Sequence, residues 1–323
     1  MPMTCRICGN SQQNVPYQIR EMMYGLRTSF SYFQCANCDC LQIEDIPADL
    51  ARYYPTDYNG FVPPRKEYFS GIKGAIKRKR YEGAVFQSSH FKQVLSALFP
   101  VAPYQVLAQV PLNRNTRILD MGCGTGAFLY PLYQLGMRHV MGADPFIPAT
   151  ITYPNGYRVQ KGFISELQGT WDIVILNHSF EHVPDPLATL QAAGQLLAPD
   201  GTCIIRIPTV SSYAWEHYRT NWFQLDAPRH LFLHSVKSMH LLAGQAGLTV
   251  TNVVYDSNAY QFLYSEQYRK DVAQQEKPAH TYFSFLGRKK DKWTYARKAA
   301  LLNQQNRGDQ AAFFLKKKTA LNS

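Results

Sequence analysis

Apolar residues from Thr116 onward fall into two alternating patterns, short unbroken runs and longer stretches with helical spacing. The runs predict strands near 117–121, 138–143, 157–161, 171–177 and 201–207, since a short continuous apolar run suits a strand covered on both faces. Helical spacing predicts helices over 125–135, 186–198 and 235–246. The last would stop at Gly247, ahead of the strand Leu248-Thr-Val-Thr-Asn-Val-Val-Tyr255. Asp309-Gln-Ala-Ala-Phe-Phe-Leu315 supplies one more strand. Strands and helices in this order define an α/β fold with a doubly wound, mostly parallel sheet.

Upstream the pattern weakens. Residues 46–115 are rich in Tyr and Pro, as in Arg52-Tyr-Tyr-Pro-Thr-Asp-Tyr58, and read as a partly helical connection. Phe69, Ile72 and Ile76 keep helical spacing within it, with basic residues gathering toward Arg80. Length and a 46% apolar content allow about two domains and a sizeable core. No terminal apolar run resembles a signal peptide and none is long enough to span a bilayer, which predicts a cytoplasmic protein.

Within the first predicted strand and the turn after it lies Arg117-Ile-Leu-Asp-Met-Gly-Cys-Gly-Thr-Gly-Ala127. Glycines at 122, 124 and 126 let the backbone turn tightly and approach a ligand closely. The spacing also permits a dinucleotide fingerprint, but Asp120 would repel a pyrophosphate. A carboxylate there suits a ligand that carries an amino group and a sulfonium and lacks phosphate, as S-adenosylmethionine does. Asp144 ends the next strand, Val140-Met-Gly-Ala-Asp144, where an acid holds ribose hydroxyls.

These residues resemble the class I S-adenosylmethionine-dependent methyltransferases. Trp171-Asp-Ile-Val-Ile-Leu-Asn177 is similar to the family's fourth strand, His178-Ser-Phe-Glu-His-Val-Pro-Asp-Pro186 to the loop after it, and Gly201-Thr-Cys-Ile-Ile-Arg-Ile-Pro208 to the fifth strand. The resemblance implies a Rossmann-like seven-stranded sheet in a domain over 116–323, with an insertion at about 260–306 before the closing strand. It implies that Asp120, Gly122, Cys123, Gly124, Gly126, Asp144 and Asn177 bind the cofactor. The family often places an acid after its third strand, and Gln160-Lys-Gly-Phe-Ile-Ser165 supplies none.

Cys5-Arg-Ile-Cys8 and Cys35-Ala-Asn-Cys38 form two close pairs in a chain with an odd number of cysteines. Such knuckles suit a closed four-thiolate shell around a structural zinc ion, in a module over 1–45, better than a disulfide framework. Cys40 is a spare that competes for the same role. A segment this short buries little core, so metal binding would supply most of its folding energy.

The net charge of +11 is concentrated: residues 265–323 hold 13 Lys/Arg against 5 acids, and 65–80 hold 7 against 1. The remainder holds 14 basic and 17 acidic residues. A polyanion channel should carry its basic residues along the substrate path, so nucleic acid is disfavoured as a partner, though rRNA or tRNA methylation stays an alternative. The two basic segments also suit peripheral contact with a membrane surface or a solvated face.

Ligands of a doubly wound sheet sit beyond the carboxyl ends of its strands. His182, beside Glu181, follows the fourth strand, and His230 follows the fifth in Asp226-Ala-Pro-Arg-His-Leu-Phe-Leu-His234. Methyl transfer asks the protein to position the partners and remove a proton from the acceptor, which imidazole does near neutral pH. His230, His182 and Glu181 are therefore the catalytic candidates, while His178, His217 and His234 read as packing or surface residues.

Cysteine module, Tyr-rich connection, glycine loop and histidine loop in this order resemble the sugar methyltransferases of bacterial polysaccharide and antibiotic biosynthesis. That implies a sugar, nucleotide-sugar or related small metabolite as acceptor, methylated on O, N or C. The family's acid before the second histidine is Arg229 here, and its nearby tyrosine is Ala227. Arg229 and Arg206 are candidates to hold acceptor phosphates. A zinc-organised scaffold without catalysis is the third reading, against which the intact glycine loop argues.

Overall fold

The computed structural model describes residues 3–55, 63–64, 68–86, 102–276 and 284–318, with backbone alone for 284–290. Parts of the expected connection (56–62, 65–67, 87–101) and of the expected insertion (277–283) lie outside the described residues, as do Arg65 and Lys66 of the first basic segment.

In chain order the strands are β1 (Val15–Arg20), β2 (Ser29–Gln34), β3 (Leu41–Ile43), β4 (Ile118–Met121), β5 (Val140–Asp144) and β6 (Ile151–Thr152). They continue with β7 (Arg158–Lys161), β8 (Trp171–Asn177), β9 (Leu197–Pro208), β10 (Phe232–Leu233), β11 (Leu248–Tyr255) and β12 (Gln310–Lys317). The larger sheet runs β11-β12-β9-β8-β4-β5-β7-β6. Its centre is parallel, β4 pairing with both β5 and β8, and β5 with β7. The two-residue β6, antiparallel to β7, makes eight strands where seven were expected. Every residue of β4 is buried, Asp120 included, as are four consecutive residues of β8, Ile173 to Leu176, which read as an unbroken apolar run.

Most predicted elements recur with shifted ends. The helix Val236–Gln245 starts after Ser235, whose hydroxyl accepts from the Ser238 amide at 2.8 Å, and the left-handed Gly247 follows its end. The helix expected over 125–135 is confined to Tyr130–Gln134. Gly126 takes φ +84°, outside helical range, and Pro131 tolerates only the first turn of a helix. Strand β9 begins four residues before the expected Gly201.

A second, smaller sheet has the order β1-β2-β3-β10. Its pairings are antiparallel, Val15 opposite Gln34 through Arg20 opposite Ser29, and Phe232–Leu233 pair with Leu41–Gln42. The three N-terminal strands thus complete their sheet with residues nearly two hundred positions away.

The chain divides into two compact units. One comprises Met1–Pro55, Phe180–Leu190 and Arg206–Phe313, and the other Thr56–Ser179, Gln191–Ile205 and Phe314–Ser323. The first contains the small sheet and the helices Tyr213–Tyr218, Val236–Gln245, Tyr260–Tyr268 and Ser284–Gln304. The second contains β4 to β8 and the helix Gly71–Phe86. Among the described residues no helix is long and apolar enough to cross a membrane.

Candidate functional site

In the second unit, β4 delivers Asp120 into the interior and the chain then turns through Gly122, Gly124 and Gly126 at φ +69°, +56° and +84°. A Cβ on Gly122 would lie 2.4 Å from the Ser179 Cβ, and one on Gly126 would lie 2.6 Å from Val159 and 2.7 Å from the Tyr157 hydroxyl. Side chains are excluded at both positions by φ and by space. Ser179 holds the turn by donating to the Met121 carbonyl at 2.7 Å, and the Gly122 amide donates to the Ala143 carbonyl at 2.8 Å.

The two acids of this loop differ in what they touch. Asp144 accepts from the Gly124 amide and from the Phe146 amide, each at 2.8 Å. A carboxylate has lone pairs for more than two bonds, so Asp144 keeps capacity for ribose hydroxyls. Asp120 is 1% exposed, and neither of its oxygens has a hydrogen-bond partner among the described residues. Burial, reinforced by the charge of Asp144, pushes its carboxyl well above the usual range. A buried acid without a partner among the described residues, at the head of a glycine-rich turn, fits a cationic ligand that brings its own positive charge. Cys123 and Asn177 are partly exposed, one in the turn and the other at the end of β8. Two rings that sequence reasoning missed, Phe146 and Phe163, stand exposed just after β5 and β7.

In the first unit, Glu181, His182 and His230 bring their polar atoms within 4.8 Å of one another. The two imidazole rings meet edge to face at 4.8 Å. His230 Nδ1 lies 2.7 Å from the Gln224 carbonyl and His182 Nδ1 lies 2.8 Å from the Arg229 carbonyl. A carbonyl only accepts, so each Nδ1 carries the proton and each neutral ring presents the lone pair of Nε2. His230 Nε2 is 3.9 Å from Glu181 and 3.8 Å from Asp226. The Tyr54 hydroxyl reaches His182 Nδ1 at 3.2 Å. Burial, then the neighbouring charge of His230, lowers the pKa of His182. Such a cluster can take up a proton at Nε2 and stabilise the resulting imidazolium with two carboxylates.

Arg229 is placed otherwise than its sequence position suggested. Its side chain is 0% exposed and pairs with Glu21 at 2.7 Å and Asp226 at 2.6 Å, while also donating to the Tyr53 carbonyl. It braces the histidine loop and offers nothing to an acceptor phosphate. Arg206 likewise pairs with Asp256 at 2.6 Å. Besides Glu181, the acid near His230 is Asp226, four residues before it. His234 is buried between Phe180 and Phe232 and held down at about 4 by that burial, a packing role as expected.

Cys5, Cys8, Cys35 and Cys38 converge with all sulfurs within 4.8 Å, and Cys5–Cys38 and Cys8–Cys35 are each 3.5 Å apart. A zinc tetrahedron with bonds near 2.3 Å has edges of about 3.8 Å. The Ile7 and Cys38 amides point at Cys5 and Cys35 sulfurs at 3.4 Å, and Gln42 donates to Cys5 at 3.1 Å. The knuckles end alike, at Gly9 with φ +73° and Asp39 with φ +60°. Four convergent sulfurs with amide donors around them fit a thiophilic cation. Cys40 stays apart, buried and 4.0 Å from His234 Nδ1.

Residues 93–253 match the methyltransferase domain family Methyltransf_23. Over 123 residues the chain is 34% identical to the ubiquinone biosynthesis O-methyltransferase of Xanthomonas campestris pv. campestris (strain B100), covering 34% of this chain and 50% of that protein. Over 154 residues it is 29% identical to the C-methyltransferase NovU of Streptomyces niveus, covering 45% of this chain and 36% of that protein. A solved S-adenosylmethionine-dependent methyltransferase of Thermotoga maritima superposes with a TM-score of 0.44 at 18% identity, over 68% of this chain and 89% of that one. The chain spans about half the length of the curated relatives it matches. With a glycine turn, an acid before it and an acid ending the next strand all inside the matched segment, the chain belongs to the S-adenosylmethionine-dependent methyltransferases.

Proposed function

We propose that the protein moves a methyl group from S-adenosylmethionine to an oxygen, nitrogen or carbon of a sugar, nucleotide-sugar or related small metabolite. The observation that carries this reading is the buried Asp120 carboxylate, without a partner among the described residues, at the head of the glycine turn. When bound, the cofactor supplies a methyl group already activated by its sulfonium charge. Asp120 offsets positive charge, Asp144 binds ribose hydroxyls, and Gly122, Gly124 and Gly126 leave the backbone open to approach, with Cys123 and Asn177 beside them. His230 is the general base: Gln224 fixes its tautomer, and Glu181 and Asp226 stabilise the proton it gains. His182, kept neutral by burial, orients it. The four cysteines hold a structural zinc ion.

One relative is named an O-methyltransferase and another a C-methyltransferase, which supports leaving the acceptor atom open among these. The slightly acidic balance outside the two basic segments favours a small acceptor over RNA. Asp120→Asn tests the reading with two opposed signs. Removing an unmatched buried charge should raise the melting temperature of the cofactor-free protein, while cofactor affinity falls by about 1–3 kcal/mol for the lost charge-assisted contact. Calorimetric titration showing unchanged affinity in folded Asp120→Asn would remove the residue from the site. An acceptor screen with labelled cofactor then separates sugars from other metabolites.

A further inference from the structure

Within the second unit a cavity of about 350 Å³ opens at the amino ends of the parallel strands. Arg117 immediately precedes β4, His139 precedes β5, Arg158 begins β7 and Trp171 begins β8, and all four line it together with Arg138 and Tyr133. Because these strands are parallel, their amino ends share one edge of the sheet, and Asp120, Asp144 and the glycine turn follow their carboxyl ends at the other. The cavity is therefore separate from the cofactor loop.

Its charge is unbalanced. Arg117 is matched by Asp172 at 2.6 and 3.3 Å. Among the described residues neither Arg138 nor Arg158 has a carboxylate at ion-pair distance and no acid lines the cavity. Arg138 is steadied over the Tyr133 ring at 4.5 Å, leaving its N–H groups unspent. The buried indole N–H of Trp171 has no acceptor among the described residues. Guanidinium forks and aromatic walls in a concave site of small-molecule size are the complement of a phosphorylated ligand.

We infer that this cavity is a second ligand site, which takes the phosphate groups of a small phosphorylated molecule between Arg138 and Arg158. The ligand is neither the methyl donor, which has no phosphate, nor a neutral sugar, which would leave two guanidiniums uncompensated.

Calorimetry on the full chain with saturating cofactor, using inorganic pyrophosphate at low salt as the probe, tests the site. One saturable event is expected, weakened by about tenfold or more in Arg138→Ala/Arg158→Ala. Cofactor affinity in that variant should equal wild type, which establishes that it is folded. Lys73→Ala/Lys79→Ala, on the separate basic helix Gly71–Phe86, should bind pyrophosphate as wild type does. Absence of saturable binding at millimolar pyrophosphate would overturn the inference. So would wild-type binding by the double arginine variant, or equal loss in the lysine variant, which would mean diffuse charge attraction without a site.

Discussion

Two enclosed aspartates, one in each unit, respond to burial in opposite ways. Asp120 has burial and the like charge of Asp144 against it and nothing in its favour, so its carboxyl is pushed well above the ordinary range. Asp226, with 13% of its side chain exposed, is also driven upward by burial, yet the charge and hydrogen bonds of Arg229 outweigh that and hold it below the ordinary range. A buried acid with its cation supplied by the chain is architecture, and one without is a request for a ligand. The four sulfurs near the N-terminus belong with Asp120 in this respect, since as thiolates they would form a cluster of one sign.

If that kinship holds, the largest effect should come from withholding the cation at the cysteines. The purified protein is expected to carry one zinc ion, with binding worth on the order of 10 kcal/mol to the segment it folds. Chelation should loosen β1, β2 and β3 and bare the edge of Phe232–Leu233 that pairs with β3, while cofactor binding persists. Metal analysis and limited proteolysis decide it. A metal-free chain with a protease-resistant N-terminus would separate the cysteines from Asp120.

The matched side of the comparison breaks at Arg229. Its removal leaves Glu21 and Asp226 enclosed without their cation, so Arg229→Ala should cost about 3–5 kcal/mol in denaturant unfolding at neutral pH. The pH dependence has a definite sign. A depressed carboxyl pKa contributes stability that is present above the ordinary value of about 4 and lost as pH falls through the folded value. The variant should lose less stability than wild type on acidification across that window. A wild-type unfolding midpoint would mean that the ion pairs only balance their own desolvation.

What the sequence revealed follows the same division between local and distant causes. Strands β8 and β11 were legible to the residue, one from the apolar run Ile173 to Leu176 at its centre and the other bounded by Gly247. The glycine turn, Asp120 and Asp144 were legible because neighbouring strands of a parallel sheet place them together by local spacing alone. Strands β1 and β2 were not, since few of their residues are buried and little apolar alternation results. The partners of the histidine cluster were hidden by separation: Tyr54 reaches His182 across 128 positions, and Glu21 reaches Arg229 across 208. Asp226 lies within local range, four residues before His230, but Arg229 occupies the position directly before the histidine, where the family carries its acid.

His230 sharpens the comparison, because its proton would be matched only after it arrives. With Nδ1 committed to Gln224 and two carboxylates near Nε2, His230→Ala should leave cofactor affinity nearly unchanged and lower turnover by about 10^2 to 10^4. His182→Ala should cost less. Single-turnover rates in wild type should fall toward acid as the base protonates, and the variant should lack that limb. A His230→Ala enzyme with the wild-type rate and pH profile would transfer the role to His182 or to the acceptor's own acidity.

The smallest effect is expected at Asp144, which lies between the two extremes. Unlike Asp120 it has partners, the Gly124 and Phe146 amides at 2.8 Å, but they are neutral and use only part of its accepting capacity. Asp144→Ala should weaken cofactor binding by about 1–3 kcal/mol through lost hydrogen bonds to the ribose. Part of that loss would come from the freed Gly124 amide, because the turn would relax without its anchor. Asp144→Asn separates the contributions in part: its one side-chain oxygen can still accept from either the Gly124 or the Phe146 amide, while the charge and the other amide bond are lost. Calorimetry should therefore place Asn between wild type and Ala. Equal loss in both would assign the effect to the charge and the amide bond that Asn gives up, and unchanged affinity in a folded Asp144→Ala protein would take this residue out of the cofactor site.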